Sequence, residues 1–197
     1  MNNPRIQWLV DRVLGKTLLD VGCNKGWFSA LQQFGVYIVG IDINRWKNGY
    51  DYFIQADAHH LPFKTSSFDT VIVAEVLEHA GDPSLVLQEA GRVAKERVLF
   101  TTPNEYEWSK EHRPFMSVEE AAMIEGKTPL EYFHQGTISD PDCLFGFEEE
   151  EFLYHRHIRY YDRETITKDV ELSGLLGDVE ELKYAGLAYW VGVLHKP

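Results

Sequence analysis

Short apolar runs that end in an acid or a turn alternate with segments of helical spacing along most of the chain. Ile6, Leu9, Val10, Val13 and Leu14 recur at three- and four-residue intervals. That spacing predicts an amphipathic helix over residues 4–14, ended by Gly15. A first strand follows at Thr17–Val21, then a crossover helix over 27–34. Apolar runs at 36–41, Tyr52–Gln55 and 69–74 predict strands two to four. The last is almost continuous in apolar residues, as befits a strand covered on both faces. Asp82-Pro83 reads as an N-cap with proline at the first helical position, and Leu85, Val86, Gln88, Glu89, Val93 and Ala94 carry that helix on. Residues 97–101 predict the fifth strand.

The alternation stops after Thr101-Thr102-Pro103-Asn104. Residues 105–154 are rich in aromatics and acids, among them Tyr106, Trp108, Phe115, Tyr132, Phe133, Phe145 and Phe147. So long an irregular stretch inside a compact domain is usually functional, and an inserted lid that supplies a substrate pocket is expected. Regularity returns with Asp162 as the cap of a helix to Ser173, stopped by Gly174. The strand-like runs at 179–184 and 187–194 are joined too tightly for a parallel crossover, so this pair is antiparallel. The expectation is a single α/β domain over residues 1–197. Its core is a Rossmann-like, doubly wound, seven-stranded sheet, mostly parallel with the last strand antiparallel.

Composition narrows the function. Of 197 residues, 44% are hydrophobic and 25% charged, as in ordinary globular proteins, and the net charge of −12 disfavours a broad nucleic-acid-binding face. Cys23 and Cys143 lack metal-type spacing and read as reduced thiols of a cytoplasmic protein. No apolar leader is visible, and no stretch reaches about 18 consecutive apolar residues, the length a spanning helix needs. Nothing in the pattern speaks to oligomeric state.

The informative stretch is Leu18 to Phe28, an apolar run ending in Asp20 and followed by a turn with Gly22 and Gly26. In a parallel α/β sheet, ligands bind beyond the carboxyl ends of such strands. The two glycines let the backbone turn and approach a ligand closely. Asn24 stands where the middle glycine of a G-x-G-x-x-G dinucleotide fingerprint would be.

Taken with Val-Gly-Ile-Asp-Ile (39–43), Ala-Asp-Ala (56–58), Phe-Asp-Thr-Val-Ile-Val-Ala-Glu-Val-Leu-Glu-His (68–79) and Phe-Thr-Thr-Pro-Asn (100–104), this stretch resembles the class I S-adenosylmethionine-dependent methyltransferases. The resemblance implies a cofactor site drawn from Asp20, Gly22, Cys23, Gly26, Asp42, Ile43, Asp57, Ala58 and Glu75. Turn amides and the helix start after Gly26 offer donors to the cofactor carboxylate, while the Gly22 carbonyl and Asp20 face its ammonium. Asp42 has two acceptor oxygens for the ribose diol. Asp57, with the Ala58 amide beside it, falls near the adenine amine.

Glu75-Val76-Leu77-Glu78-His79 follows the fourth strand directly. On a helical turn Glu75, Glu78 and His79 would point one way. The segment is similar to those of ubiquinone-pathway O-methyltransferases and of small-RNA 2′-O-methyltransferases. Those two branches imply a divalent metal (magnesium, manganese, iron or zinc) held by Glu75, Glu78, His79 and a later histidine, His157. Without metal, His79 and His157 are the candidate bases for a hydroxyl acceptor. The leading expectation is methyl transfer to oxygen of a small-molecule or saccharide-like acceptor. An RNA 2′-O-methyltransferase, with Arg156, Arg159 and Arg163 as a phosphate contact, and a non-catalytic cofactor-binding subunit are the alternatives.

Overall fold

The computed structural model describes residues 3–44, 49–104, 159, 161–184 and 187–197. The predicted lid at 105–154, together with His157 and Arg156, lies outside the described residues.

Helix α1 spans Pro4–Val10, with the Asn3 side chain accepting from the Arg5 and Ile6 amides and Pro4 in the first turn. It stops short of the expected residue 14, and single-turn bonds (Arg12 N–H to Leu9, Val13 N–H to Val10) carry the chain toward β1. Strands β1 (Thr17–Val21), β2 (Tyr37–Asp42), β3 (Tyr52–Gln55), β4 (Phe68–Ala74) and β5 (Ala94–Pro103) pair in parallel, in the order β3-β2-β1-β4-β5. Strand β7 (Leu187–His195) adds to β5 antiparallel, and β6 (Leu176–Tyr184) closes the edge antiparallel to β7. Among the described residues the sheet therefore has seven strands, of which β7 alone runs backwards.

Two helices among the described residues cover one face. Helix α2 (Pro83–Val93) is capped by Asp82, whose side chain accepts from the Leu85 amide. Helix α3 (Arg163–Ser173) opens with a reciprocal capping box between Asp162 and Thr165 and ends on left-handed Gly174. Val86, Leu87, Ala90, Ile166 and Val170 bury against Val71, Val73 and Phe100 there. On the other face, Ile6 and Leu9 of α1 meet Leu18, Ile38, Ile72 and Leu99.

The predicted crossover helix at 27–34 is instead a 3-10 helix over Ser29–Phe34. The Phe28 amide is drawn to the Tyr50 hydroxyl at 3.0 Å rather than into an α-helical ladder, and left-handed Gly35 ends the segment. Only a few residues remain between these stops, and i→i+3 bonds close best over so short a run.

The strand order reverses at β1, with β2 on one side and β4 on the other, so a crevice opens beyond their carboxyl ends.

Candidate functional site

A cleft of about 180 Å³ lies in that crevice, open to solvent on one side. Gly22 and Asn24 from the turn after β1 form one wall with Asp42, Ile43 and Asn44 at the end of β2. Asp57, Ala58 and His59 come from the loop after β3. Glu75, Val76, His79 and Ala80 follow β4, and Val86 reaches in from α2. Of the sequence-derived candidates, Gly22, Asp42, Ile43, Asp57, Ala58, Glu75 and His79 line the cleft. Asn24, Asn44, His59 and Val76 are additions that the motif reading did not supply.

The Asp42 carboxylate is held at the cleft by two backbone amides. Its Oδ2 accepts from the Asn24 amide at 3.0 Å and its Oδ1 from the Asn44 amide at 2.9 Å. A carboxylate offers about four acceptor sites, so each oxygen keeps capacity for a ligand hydroxyl. Asn24 reaches this bond with φ of 42°, a left-handed conformation that asparagine tolerates better than most residues. That explains how asparagine serves at the middle position of the turn. At Gly22, φ is 69° and an added Cβ would stand 2.3 Å from Val76 Cγ2, so both backbone and space require glycine.

Three predicted contacts lie beneath the cleft instead of in it. Asp20 is 2% exposed, and its Oδ2 accepts from the Tyr50 hydroxyl at 2.6 Å. Burial is the main cause that raises its carboxyl to about 7; the Tyr50 bond lowers it, and the charge of Asp42 adds to the rise. The expectation that Asp20 faces a ligand ammonium is thus corrected. The Tyr50 ring, arriving from residues well downstream, seals Asp20 from the crevice. Cys23 is buried beside Tyr50, and burial pushes its thiol up. Gly26, at φ of 80°, closes the turn by donating its amide to the Cys23 carbonyl at 2.8 Å and does not line the cleft.

The acid-and-histidine segment also departs from expectation. Leu77–His79 is a single 3-10 turn, and Glu75 before it takes φ of 56°. Glu75 Oε2 pairs with Arg5 Nη1 of α1 at 2.5 Å, and its Oε1 accepts from the Thr101 hydroxyl at 2.8 Å. Glu78 turns inward, 1% exposed, and accepts from the Thr102 hydroxyl at 3.0 Å. Glu78 Oε1 lies 4.0 Å from His79 Nε2, while the left-handed Glu75 is paired with Arg5 and Thr101. Among the described residues no three His, Cys, Asp or Glu side chains gather as metal ligands. The fourth member of the proposed metal set, His157, lies outside the described residues. His79, by contrast, stays partly exposed at the cleft.

The arginines expected to meet phosphate are committed to the fold where they are described. Arg159 donates from Nε to the Ala80 carbonyl (3.1 Å) and from Nη2 to the Gly81 carbonyl (2.6 Å), while its amide donates to the Glu78 carbonyl (3.2 Å). Arg163 Nη2 donates to the Val179 carbonyl at 2.9 Å. Arg159 thereby clasps the turn that carries His79, a role its sequence context gave no sign of.

On the β3 side, Asp57 Oδ1 accepts from the His59 amide at 2.9 Å and lies 2.7 Å from His59 Nδ1. The His59 amide, and then its ring, hold the Asp57 carboxyl below the usual carboxylate range.

A strand-order reversal, a glycine turn and a strand-ending acid at one crevice define a nucleotide-type site in a Rossmann-like sheet, and comparison with known proteins agrees. Residues 4–177 match the family described as Methyltransferase domain. The ubiquinone biosynthesis O-methyltransferase of Pseudomonas entomophila is 34% identical over 124 residues, covering 53% of this chain and 52% of that protein. The chain thus spans about half the length of the curated relatives it matches. Among solved structures, the PH0226 protein from Pyrococcus horikoshii superposes with a TM-score of 0.67 at 20% identity, covering 98% of this chain and 90% of that one. A SAM-dependent methyltransferase from Methanosarcina mazei gives 0.61 at 17% identity, covering 95% and 97%. The chain belongs to the class I S-adenosylmethionine-dependent methyltransferase family. No helix among the described residues is long and apolar enough to cross a membrane.

Proposed function

We propose that the protein transfers a methyl group from S-adenosylmethionine to an oxygen of a small-molecule acceptor, with a hydroxyl of saccharide or phenol type as the nucleophile. The observation that carries this reading is Asp42, a carboxylate held at the cleft by two backbone amides with acceptor capacity left on both oxygens. That arrangement suits the vicinal diol of a ribose, which presents two donors side by side. Gly22 and Asn24 provide the close-approach wall, and Asp57 with Ala58 provides polar groups for the base.

When bound, the cofactor supplies an electrophilic methyl carbon on a sulfonium. The chain's own work is to align the acceptor with that carbon and to take its proton. Alignment of two bound reactants is a large part of the rate in such a displacement. His79 is the imidazole at the cleft that would take the proton, since His59 is engaged with Asp57 and Asp82, and the backbone turn that carries His79 is clasped by Arg159. The choice of oxygen follows the O-methyltransferase relatives and the presence of this base.

The test is calorimetric titration of the purified chain with S-adenosylhomocysteine, followed by mass spectrometry of hydroxylated acceptors incubated with S-adenosylmethionine. Saturable binding and a gain of one methyl on oxygen are expected, with turnover lost in His79→Ala while binding persists. Absence of cofactor binding, or methylation confined to nitrogen acceptors, overturns the reading.

A further inference from the structure

The loop between β3 and β4 is fastened to α2 in three places. Deep in the fold, the Leu61 amide donates to Glu89 Oε2 at 2.9 Å. The Arg92 guanidinium donates to the Phe63 and Leu61 carbonyls at 2.7 and 2.9 Å. The third fastening stands at the cleft and uses His59, whose Nε2 accepts from the amide of Asp82, the N-cap of α2, at 3.2 Å. A ring nitrogen that accepts an amide hydrogen carries no proton, so the proton of the neutral imidazole sits on Nδ1. Nδ1–H then donates to Asp57 Oδ1, which also receives the His59 amide. Among the described residues, both hydrogen bonds to this carboxylate fall on Oδ1. Oδ2 remains the accepting oxygen of a half-exposed side chain that lines the cleft.

We propose that His59 is a positioning residue that makes the cleft specific for a 6-aminopurine, by holding Asp57 with Oδ2 turned to accept the exocyclic amine. This rests on the cofactor reading above and adds the residue that sets its base preference. A 6-oxopurine brings an oxygen acceptor to the same place. Two acceptors facing each other repel, and neither finds a partner, so a carboxylate fixed in this pose rejects that base. Without the imidazole only the residue-59 backbone amide still holds Asp57 Oδ1, so the carboxylate is less firmly posed and the rejection weakens while the Asp42 end of the cleft stays intact.

The experiment titrates the full chain with S-adenosylhomocysteine and with its 6-oxo counterpart, S-inosylhomocysteine. Wild type is expected to bind the amino ligand at least about tenfold more tightly, the scale of one good hydrogen bond against an unpaired one. His59→Ala should weaken the amino ligand about three- to tenfold and leave the oxo ligand equally or more tightly bound, which narrows the preference. His59→Asn, whose side-chain amide replaces the Nδ1–H donor, should recover most of it. A purely structural lesion would weaken both ligands alike, and that result overturns the proposal. So does a His59→Ala variant that discriminates as wild type does, or a wild type with no preference. If wild type binds neither compound, the cofactor reading itself falls.

Discussion

Asp20, one residue before the end of β1, and Asp42, the last residue of β2, lie on neighbouring parallel strands, and the fold treats them in opposite ways. Asp20 lies across from Gly40, and Asp42 stands two residues further on, past the edge of that pairing. One is sealed under Tyr50 with its carboxyl raised to about 7; the other is held at the cleft by two amides. Position at a strand end therefore does not decide what an acid does. What lies over it decides, and here that is one tyrosine ring packed against Gly40, where an added Cβ would come within 2.5 Å of the ring.

The comparison breaks most completely at the turn that separates the two acids. Gly22→Val places a β-branched residue at positive φ and its Cβ against Val76, strain and overpacking that together cost about 2–5 kcal/mol. Urea unfolding should show that loss directly, with cofactor binding abolished in whatever remains folded.

Asp42→Ala separates the two roles. Removing a charge-assisted acceptor costs about 1.5–3 kcal/mol, so cofactor affinity should fall about ten- to hundredfold by calorimetry. The unfolding midpoint should move less than for Asp20→Ala, which strands the buried Tyr50 hydroxyl. Equal binding losses in the two variants would erase the distinction.

Asp20 also gives the protein a pH signature of its own. Its folded carboxyl is raised from 3.8 to about 7, so between those values the folded state holds a proton that the unfolded state has released. Stability from this group is full below the unfolded value, declines as pH rises, and levels off above the folded one. Asp20→Asn, neutral throughout, should flatten that decline when urea unfolding free energies are compared at pH 5, 6, 7 and 8. An unchanged slope in the variant would show that Asp20 does not titrate there. Tyr50→Phe removes two hydrogen bonds, from the Phe28 amide and to Asp20, and should cost about 1–3 kcal/mol in the same unfolding experiment.

The five parallel strands and the reversed final pair were legible because their signals are local: apolar runs, acidic ends, a connection too short to cross over. Asp42 was legible for the same reason, since it ends its own strand. Asp20 was misplaced because its partner Tyr50 sits 30 residues away, and no local pattern reports that contact. The 3-10 helix at Ser29–Phe34 was read as a longer helix because the same hydroxyl takes the Phe28 amide. Glu75 was misread at the level of a single dihedral angle. Helical spacing gathers Glu75, Glu78 and His79, whereas a left-handed Glu75 sends its carboxylate to Arg5 at the far end of the chain. His59 escaped notice because its worth depends on Asp82, a contact across 23 positions.

Asn104 and Arg159 stand on either side of residues 105–158, and both are fastened to parts that hold themselves together. Asn104 gives its amide to Ala188 and its side chain to Glu181, on the two final strands, and Arg159 grips the carbonyls of Ala80 and Gly81. These are fixed posts, one on the sheet and one on the turn that bears His79. The scaffold thus fixes both ends of whatever sequence joins the posts, so that the points where it enters and leaves the sheet are set by the final strands and by the turn that carries His79.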